Sequence, residues 1–321
     1  MEDKCSFEPI PVIAVVGPTA SGKTRLAVDL AERFGGEVIS ADSMQIYRYM
    51  DIGTAKATAE ERRGIPHHML DFLDPGQPFS VADYVELAGR CAADIVRRGK
   101  VPVVAGGTGL YVDSLLRGTV FQPIQTDPSL RLSLQREAEE KGGEALLEQL
   151  AQVDPELAAK LHPNNTGRII RALEVFRLTG VPMSVQQREA VSHPSPYRPC
   201  WIGLDFSDRQ VLYQRINRRV EQMLRDGLEE EARSLTQRGF GGTAAQAIGY
   251  KEFFPCWEGK RTLAEAEEEI KLQSRRYAKR QLTWFRRNKE IQWLYPDVQS
   301  YPELLETAAG LVRDQLKLTP L

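Results

Sequence analysis

The stretch Gly17-Pro18-Thr19-Ala20-Ser21-Gly22-Lys23-Thr24 constrains this chain more than any other. It fits the pattern G-x-x-x-x-G-K-[ST] and follows a β-branched run, Ile10–Val16 (IPVIAVV). After it, Leu26, Ala27, Leu30, Ala31 and Phe34 keep helical spacing, and Gly35-Gly36 closes the helix. A buried strand, a glycine loop and an amphipathic helix, in that order, make a seat for a di- or triphosphate. The glycines let several backbone N–H groups turn to one point. The helix N-terminus adds about half a positive charge, Lys23 adds a full one, and Thr24 offers a hydroxyl to Mg²⁺. The pattern leaves open whether a phosphoryl group moves or diphosphate departs.

Further buried-type strands are expected at Glu37–Ala41 (EVISA), Val101–Ala105 (VPVVA), Trp201–Asp205 and Ile291–Tyr295. Ser80 with Asp83 predicts a capping box and a helix to about Arg98. Strands alternating with helices predict an α/β fold, a P-loop NTPase-like parallel sheet core with helices on both faces. Between Thr126 and Ala190 the patterns are helical only. Thr166 is expected to cap a helix through Thr179, closed by Gly180, before the Pro-rich link His193–Pro199. The expected organisation is therefore a core over 1–125 and 195–321, with a helical insertion domain at 126–194. A length of 321 residues suits two domains at roughly 150 residues each.

Composition narrows the class. Hydrophobic residues make up 42% and charged residues 27%, which excludes a wholly disordered chain. No apolar run approaches the roughly 20 residues of a membrane helix. The N-terminus carries acids where a signal peptide carries positive charge, so a cytoplasmic protein without membrane partners is expected. Cys5, Cys91, Cys200 and Cys256 form no C-x-x-C pair and read as reduced thiols. His67 and His68 would point opposite ways on a strand, so they do not read as one metal site.

In an open α/β sheet, ligands sit beyond the carboxyl ends of the strands. Gly17, Asp42 and Thr108 occupy such ends and should converge on one crevice. Asp42 there can serve as a general base, as part of a Mg²⁺ shell, or as a helix N-cap. Gln45 can read an adenine edge or lie solvated. The VPVVA strand ends in Gly106-Gly107-Thr108-Gly109, not in the acid that P-loop ATPases place there. Glycines at that point leave room for a bulky substrate. Arg215 and Arg219 lie four apart on one helix. One of them can reach the diphosphate; an ion pair with Glu221 or Asp208 is the alternative.

GPTASGKT, ISADSMQIY and VVAGGTGLY, each after a strand, resemble the bacterial tRNA dimethylallyltransferases. So do DIGTAKAT (Asp51–Thr58), NNTGRIIRALEVF (Asn164–Phe176), LYQRINRRVEQML (Leu212–Leu224), AIGYKE (Ala247–Glu252) and AKRQLTWFR (Ala278–Arg286). The ordered set spans nearly the whole chain. The resemblance implies transfer of a dimethylallyl group from dimethylallyl diphosphate to N6 of adenine-37. That base lies 3′ to the anticodon in tRNAs reading U-starting codons. It implies Asp42 as base, Thr108 at the reacting end of the crevice, positioning Asp42 or the adenine, and Lys23, Thr24 and Mg²⁺ on the leaving diphosphate. It also implies contacts to the tRNA anticodon stem-loop from Ser43, Met44, Gln45, Arg131, Gly167, Arg168, Ile169, Ile170 and Arg171. The segment Gln246–Lys251, with Gly249 and Tyr250, joins that set. Gly167 departs from the family's pattern, which has Gln there, so it offers no side chain.

The stretch Lys271–Lys289 holds Lys271, Arg275, Arg276, Lys279, Arg280, Arg286, Arg287 and Lys289, with no acid. Its cations read equally as RNA phosphate contacts or as a solvated helix face; the resemblance favours RNA contact for the cations and core packing for Trp284. Rival readings are a small-molecule or nucleoside kinase, a prenyltransferase acting on free adenine nucleotides, and a nucleotide-driven RNA-binding switch. A monomer is expected.

Overall fold

The computed structural model describes residues 8–122 and 127–321. Cys5 and Thr126, with the expected boundary at 125/126, lie outside the described residues. The chain divides into two compact units, one reaching Arg117 and resuming over Ser195–Leu321, the other Gly118–Pro194.

The first unit is built on six parallel strands: β1 (Ile10–Val16), β2 (Gly36–Ser40), β3 (His67–His68), β4 (Val101–Gly106), β5 (Tyr197–Leu204) and β6 (Gln292–Leu294), in the order β3-β2-β4-β1-β5-β6. The alternation of β1 assigns its residues to two cores. Val12, Ala14 and Val16 pack with Tyr84, Ala88 and Ile95 of the helix Val81–Arg97 and with Val112 and Leu115 of the helix Gly109–Leu116. Ile13 and Val15 pack on the other face with Leu26, Leu30 and Phe34 of the helix Lys23–Phe34 and with Ala308 and Val312 of the helix Tyr301–Leu316. Both faces are thus covered, and for that reason β1 is apolar without alternation.

Local signals in the chain account for the element ends. The Ser80–Asp83 capping box forms, and its helix ends at Arg97. Gly35 closes the P-loop helix in the left-handed conformation. A Cβ on Gly36 would stand 2.6 Å from the Val101 carbonyl oxygen, so β2 can begin against β4 only with glycine. β3 is two residues long, too short for any periodicity to reveal. Its histidines have different partners: His68 Nε2 meets Glu37 Oε2 at 2.7 Å, and His67 Nδ1 meets the Ile65 carbonyl at 2.8 Å.

At the opposite end of the sheet from the crevice, Glu37 is buried on β2 with two cationic partners, Arg98 and Lys100 at 3.1 Å, and a hydrogen bond to the His68 ring. The Arg98 guanidinium, more than the others, brings its carboxyl down to about 2 against the cost of burial.

The second unit is helical, with Pro128–Val153, Pro155–Ala158, Thr166–Thr179 and Met183–Glu189 packed around Leu134, Leu146, Leu150, Ile169, Ile170 and Leu173. Asn165, not Thr166, is the N-cap residue of Thr166–Thr179, and Gly180 ends it. Ile169 and Ile170 were expected on the RNA face. The structure corrects this: both side chains lie in the unit's own core, because they fall on the helix stripe shared with Leu173. Glu174 is also buried. It accepts from Arg171 Nη1 at 2.8 Å and stands 3.6 Å from Arg131 Nη2, so one carboxylate holds both guanidiniums. Arg131, Gly167 and Arg168 are exposed. Space around Gly167 is open, with nothing within 4 Å of a Cβ there.

Candidate active site

β1, β2 and β4 end side by side, and the loops that leave them surround a crevice of about 280 Å³. The P-loop comes from β1. Its turn is tight: a Cβ on Gly17 would stand 2.6 Å from the Leu204 carbonyl oxygen, and Ala20 takes a left-handed φ of 61°. That unusual alanine is held from outside, because Arg215 Nε donates to its carbonyl at 2.9 Å. Pro18 is held from inside, its carbonyl accepting from Lys23 Nζ at 2.5 Å. Ser21 Oγ is buried without a partner, and Gly22 starts the helix at φ 96°.

Thr19, Ala20, Lys23, Thr24, Asp42 and Arg219 line the crevice. Burial, followed by the nearby Arg219 charge, pushes the Lys23 ammonium down to about 7, while Asp42 acts in the other direction. Arg219 is itself buried enough to be pulled below its ordinary value. The two arginines therefore divide their work. Arg219 lines the crevice beside Lys23, and Arg215 clamps the loop backbone and lies over Phe206 at 5.6 Å. Neither takes the alternative ion pair: Glu221 pairs with Lys271 at 3.0 Å, and Asp208 caps the helix Arg209–Arg225.

Asp42 follows β2. Its Oδ1 accepts the Met44 N–H at 2.9 Å, which fixes the carboxylate at the crevice wall. Thr108 follows β4 and does not line the crevice. Its hydroxyl accepts the Ser43 N–H at 3.0 Å, and its own N–H donates to the Ala41 carbonyl at 3.1 Å, so it braces the loop that carries Asp42. Gly106 and Gly107 leave no free room. A Cβ on Gly106 would meet the Ala41 carbonyl oxygen at 2.1 Å, and one on Gly107 would meet Gln281 Nε2 at 2.0 Å. The glycine end of β4 thus accommodates the protein's own groups, while Gly106 and Gly107 also line the crevice.

Gln45 corrects a second expectation. Its side chain neither lies free nor presents an open amide. Nε2 donates to the Thr54 and Ala55 carbonyls at 3.1 and 3.3 Å, and Oε1 is 2.9 Å from Ser40 Oγ. Gln45 builds the wall it lines. The same wall is tied by Glu231, whose carboxylate accepts the N–H groups of Asp51 and Ile52 at 2.8 Å and of Gly53 at 3.0 Å, and the Tyr250 hydroxyl at 2.8 Å. Tyr250 is fully buried, and a Cβ on Gly53 would lie 2.6 Å from its ring. Tyr250 is therefore a core residue, contrary to its expected RNA-facing role. Gly249 is buried at φ 96°, with its N–H on Glu252 Oε2 at 2.8 Å. Gln246 lines the crevice, and Lys251 is exposed.

The far part of the crevice is apolar. Ile216, Val220 and Met223 come from one face of the helix Arg209–Arg225, joined by Ala247, Ile248 and Ile270. From Ile216 to Met223 the helix advances about 10 Å along its axis.

The helix Leu263–Phe285 closes the remaining side with Ile270, Ser274, Tyr277 and Gln281, four positions at helical spacing. Sequence reading missed Tyr277 and Gln281; that spacing was the available signal. The Tyr277 hydroxyl is held well above its ordinary value, by burial first and by the Asp42 charge second. Arg276, Lys279 and Arg280 are exposed, and Arg280 reaches the crevice rim. Arg275 is half-buried on Asn217 Oδ1 at 2.6 Å. Lys271 is buried among Glu221, Glu267 and Glu268 at 2.8–3.0 Å, so it is not an RNA-facing cation. Trp284 packs against the core and donates to Asp113 Oδ2 at 2.7 Å.

Hard oxygen donors suited to Mg²⁺ are present in the Thr24 hydroxyl and the Asp42 carboxylate, both on the crevice wall. No cluster of three or more His, Cys, Asp or Glu side chains capable of holding a metal exists among the described residues. The donors fit an ion that takes its remaining ligands from diphosphate and water.

Comparison with known proteins places this architecture. The family model described as IPP transferase matches residues 45–288, and that described as isopentenyl transferase matches residues 10–72. The chain is 48% identical over 312 residues to the tRNA dimethylallyltransferase of Caldanaerobacter subterraneus subsp. tengcongensis, covering 96% of this chain and 99% of that protein. It is 50% identical over 283 residues to that of Halalkalibacterium halodurans, covering 88% and 90%. Among solved structures it resembles the tRNA isopentenylpyrophosphate transferase of Bacillus halodurans, with a TM-score of 0.71 and 46% identity over 96% of this chain and 98% of that one. It also resembles a eukaryotic dimethylallyltransferase acting on tRNA, with a TM-score of 0.79 and 29% identity over 95% and 80%. A parallel sheet with a P-loop, a carboxylate after β2 and this set of relatives lead to one assignment: the chain belongs to the tRNA dimethylallyltransferase family.

Proposed function

We propose that the protein transfers a dimethylallyl group from dimethylallyl diphosphate to N6 of adenine-37, 3′ to the anticodon, in tRNAs reading U-starting codons. The observation that carries this reading is one crevice with three walls: cations and P-loop amides, a fixed carboxylate, and an apolar slot. Diphosphate rests against Lys23, Arg219 and the P-loop amides beyond Thr19, and the five-carbon tail lies toward Ile216, Val220 and Met223. The adenine, turned out of its loop, brings N6 to Asp42 at a cost of a few kcal/mol.

The exocyclic amine is a weak nucleophile because its lone pair is delocalised into the ring. As the N6–C1 bond forms, Asp42 takes the N6 proton. The C1–O bond breaks, and its electron pair leaves with diphosphate. Preorganised donors are worth most where charge develops, which here is the bridging oxygen facing Lys23 and Arg219. Mg²⁺ held by Thr24 and the diphosphate would neutralise part of that charge. On the core unit the RNA backbone meets Arg276, Lys279 and Arg280; taken by itself, the helical unit offers Arg131, Arg168 and Arg171 to phosphates. No described helix is long and apolar enough to cross a membrane.

The kinase reading lacks support, because a kinase gives no role to the apolar slot. The test is incubation with an anticodon stem-loop RNA and either dimethylallyl diphosphate or ATP. A mass gain of one C5H8 unit on the adenosine is expected from the first and no phosphorylation from the second. Phosphorylation without prenylation would overturn the assignment.

A further inference from the structure

Gln281 makes two hydrogen bonds that join parts of the chain far apart in sequence. Its Oε1 accepts the Thr19 N–H of the P-loop at 2.8 Å. Its Nε2 donates to the Gly107 carbonyl, after β4, at 3.0 Å. The side chain is buried and lines the crevice between Tyr277 and the P-loop. On the Gly107 side the connection continues: the Thr108 N–H holds the Ala41 carbonyl, the Thr108 hydroxyl holds the Ser43 N–H, and Asp42 lies between those two residues. One carboxamide therefore stands between the loop that grips the leaving group and the loop that carries the base.

From this geometry we infer that Gln281 is a positioning residue, which sets the distance between the diphosphate seat and Asp42. The inference rests on the reaction assigned above. The chemistry of the side chain suits the task. A carboxamide has an acceptor and a donor at one fixed spacing. Glutamate keeps the acceptor for Thr19 but has no proton for Gly107 while ionised. Asparagine is one methylene too short to reach both. Gly107 has no Cβ because Nε2 occupies that place, 2.0 Å from where it would stand. Transfer from carbon to nitrogen demands a near-attack alignment, and a misplacement of about 1 Å costs on the order of 10²-fold in rate. Loss of the link should therefore lower turnover with little change in substrate affinity.

The test compares Gln281→Met, Gln281→Glu and Gln281→Asn with the parent chain. Pyrophosphate serves as the leaving-group probe and an anticodon stem-loop as the RNA. Expected are folded variants that bind both probes within about threefold of the parent, with kcat down on the order of 10²-fold. The Gln281→Glu deficit, taken as a ratio to the parent at each pH, should shrink as pH falls toward the pKa of the new carboxyl, which burial raises above the usual carboxylate range, because a protonated carboxyl regains a donor for Gly107. A kcat within about twofold of the parent in all three, or a loss that tracks weakened probe binding, would overturn the inference. So would a pH-independent Gln281→Glu deficit, or unfolding of all three variants. A parent chain that fails to transfer the prenyl group would instead sink the assigned reaction, whatever the variants do.

Discussion

Arg219 stands beside Lys23 in the crevice, and its charge is, after burial, the second reason the Lys23 ammonium titrates near 7 instead of at its ordinary 10.5. In the free protein, Lys23 is charged below about pH 7 and neutral above it. Diphosphate brings negative charge against the amine and draws its pKa back up. Binding between about pH 7 and 10.5 should therefore take up a proton, and affinity should fall as pH rises through this window. Calorimetry of pyrophosphate binding near pH 8, in two buffers of different ionisation enthalpy, checks this, and Lys23→Met should abolish the uptake. The same shift gives a stability sign. The unfolded chain holds the proton across that window and the folded chain does not, so the cost of burying Lys23 is present below pH 7 and fades as pH rises toward 10.5.

Asp42→Asn keeps the size of the side chain and its hydrogen bond to the Met44 N–H. Pyrophosphate and RNA binding should persist, while kcat drops by about 10²- to 10⁴-fold. Single-turnover assays check it; near-parental rates would remove Asp42 from the base role.

The cations of the helix Leu263–Phe285 fall into two sets. Changing Arg276, Lys279 and Arg280 together to alanine should weaken RNA binding and flatten the plot of log K against log salt by about 2, at about 0.7 per phosphate on a single strand. Lys271→Ala should leave that slope unchanged and lower thermal stability instead, since it leaves Glu221, Glu267 and Glu268 facing one another. Titrations at several salt concentrations separate the two outcomes.

Met223 is the residue of the apolar slot furthest along its helix from the P-loop. Met223→Ala should lengthen the slot and raise kcat/KM for geranyl diphosphate, relative to the dimethylallyl substrate, by about tenfold or more. An unchanged ratio in a variant that still uses the shorter substrate would place the end of the slot elsewhere.

Glu37 is buried with Arg98, Lys100 and His68 around it, and its carboxyl lies near 2 against an ordinary 4.5. A depressed carboxylate contributes stability that is present above pH 4.5 and lost as pH falls toward 2. Glu37→Gln should cost about 2 kcal/mol near neutrality, the low side for a buried pair because Arg98 and Lys100 are open to screening. It should also remove part of the acid dependence between pH 4.5 and 2. Urea unfolding of both chains at pH 7 and pH 3 measures this.

The sequence already indicated what depends on near neighbours along the chain. The P-loop, its strand and its helix are contiguous, and so are the capping box at Ser80 and the stop at Gly180. The crevice at the ends of β1, β2 and β4 followed from a general property of parallel sheets. Other features were hidden because they depend on which residue meets which across the fold. Gln45 read as an exposed amide, since nothing near it in sequence announces Ser40, Thr54 and Ala55 as its partners together. Lys271 sits in a run of cations, and only the packing of two helices brings Glu221 to it. Ile169 and Ile170 lay inside a motif that resembles RNA-contacting segments, and the resemblance outweighed the plainer fact that two adjacent isoleucines on a helix belong to its core.

The Glu231 carboxylate that gathers three amides and the Tyr250 hydroxyl makes two distant motifs mechanically one piece. A residue larger than glycine at 53 collides with the ring at 250, and a smaller residue at 250 leaves the Glu231 carboxylate without its fourth donor and opens a hole beside the gathered amides. Substitutions at the two positions should therefore be tolerated in pairs and rejected singly, so that in descent the DIGTAK and AIGYKE segments drift together as though they were neighbours in the gene.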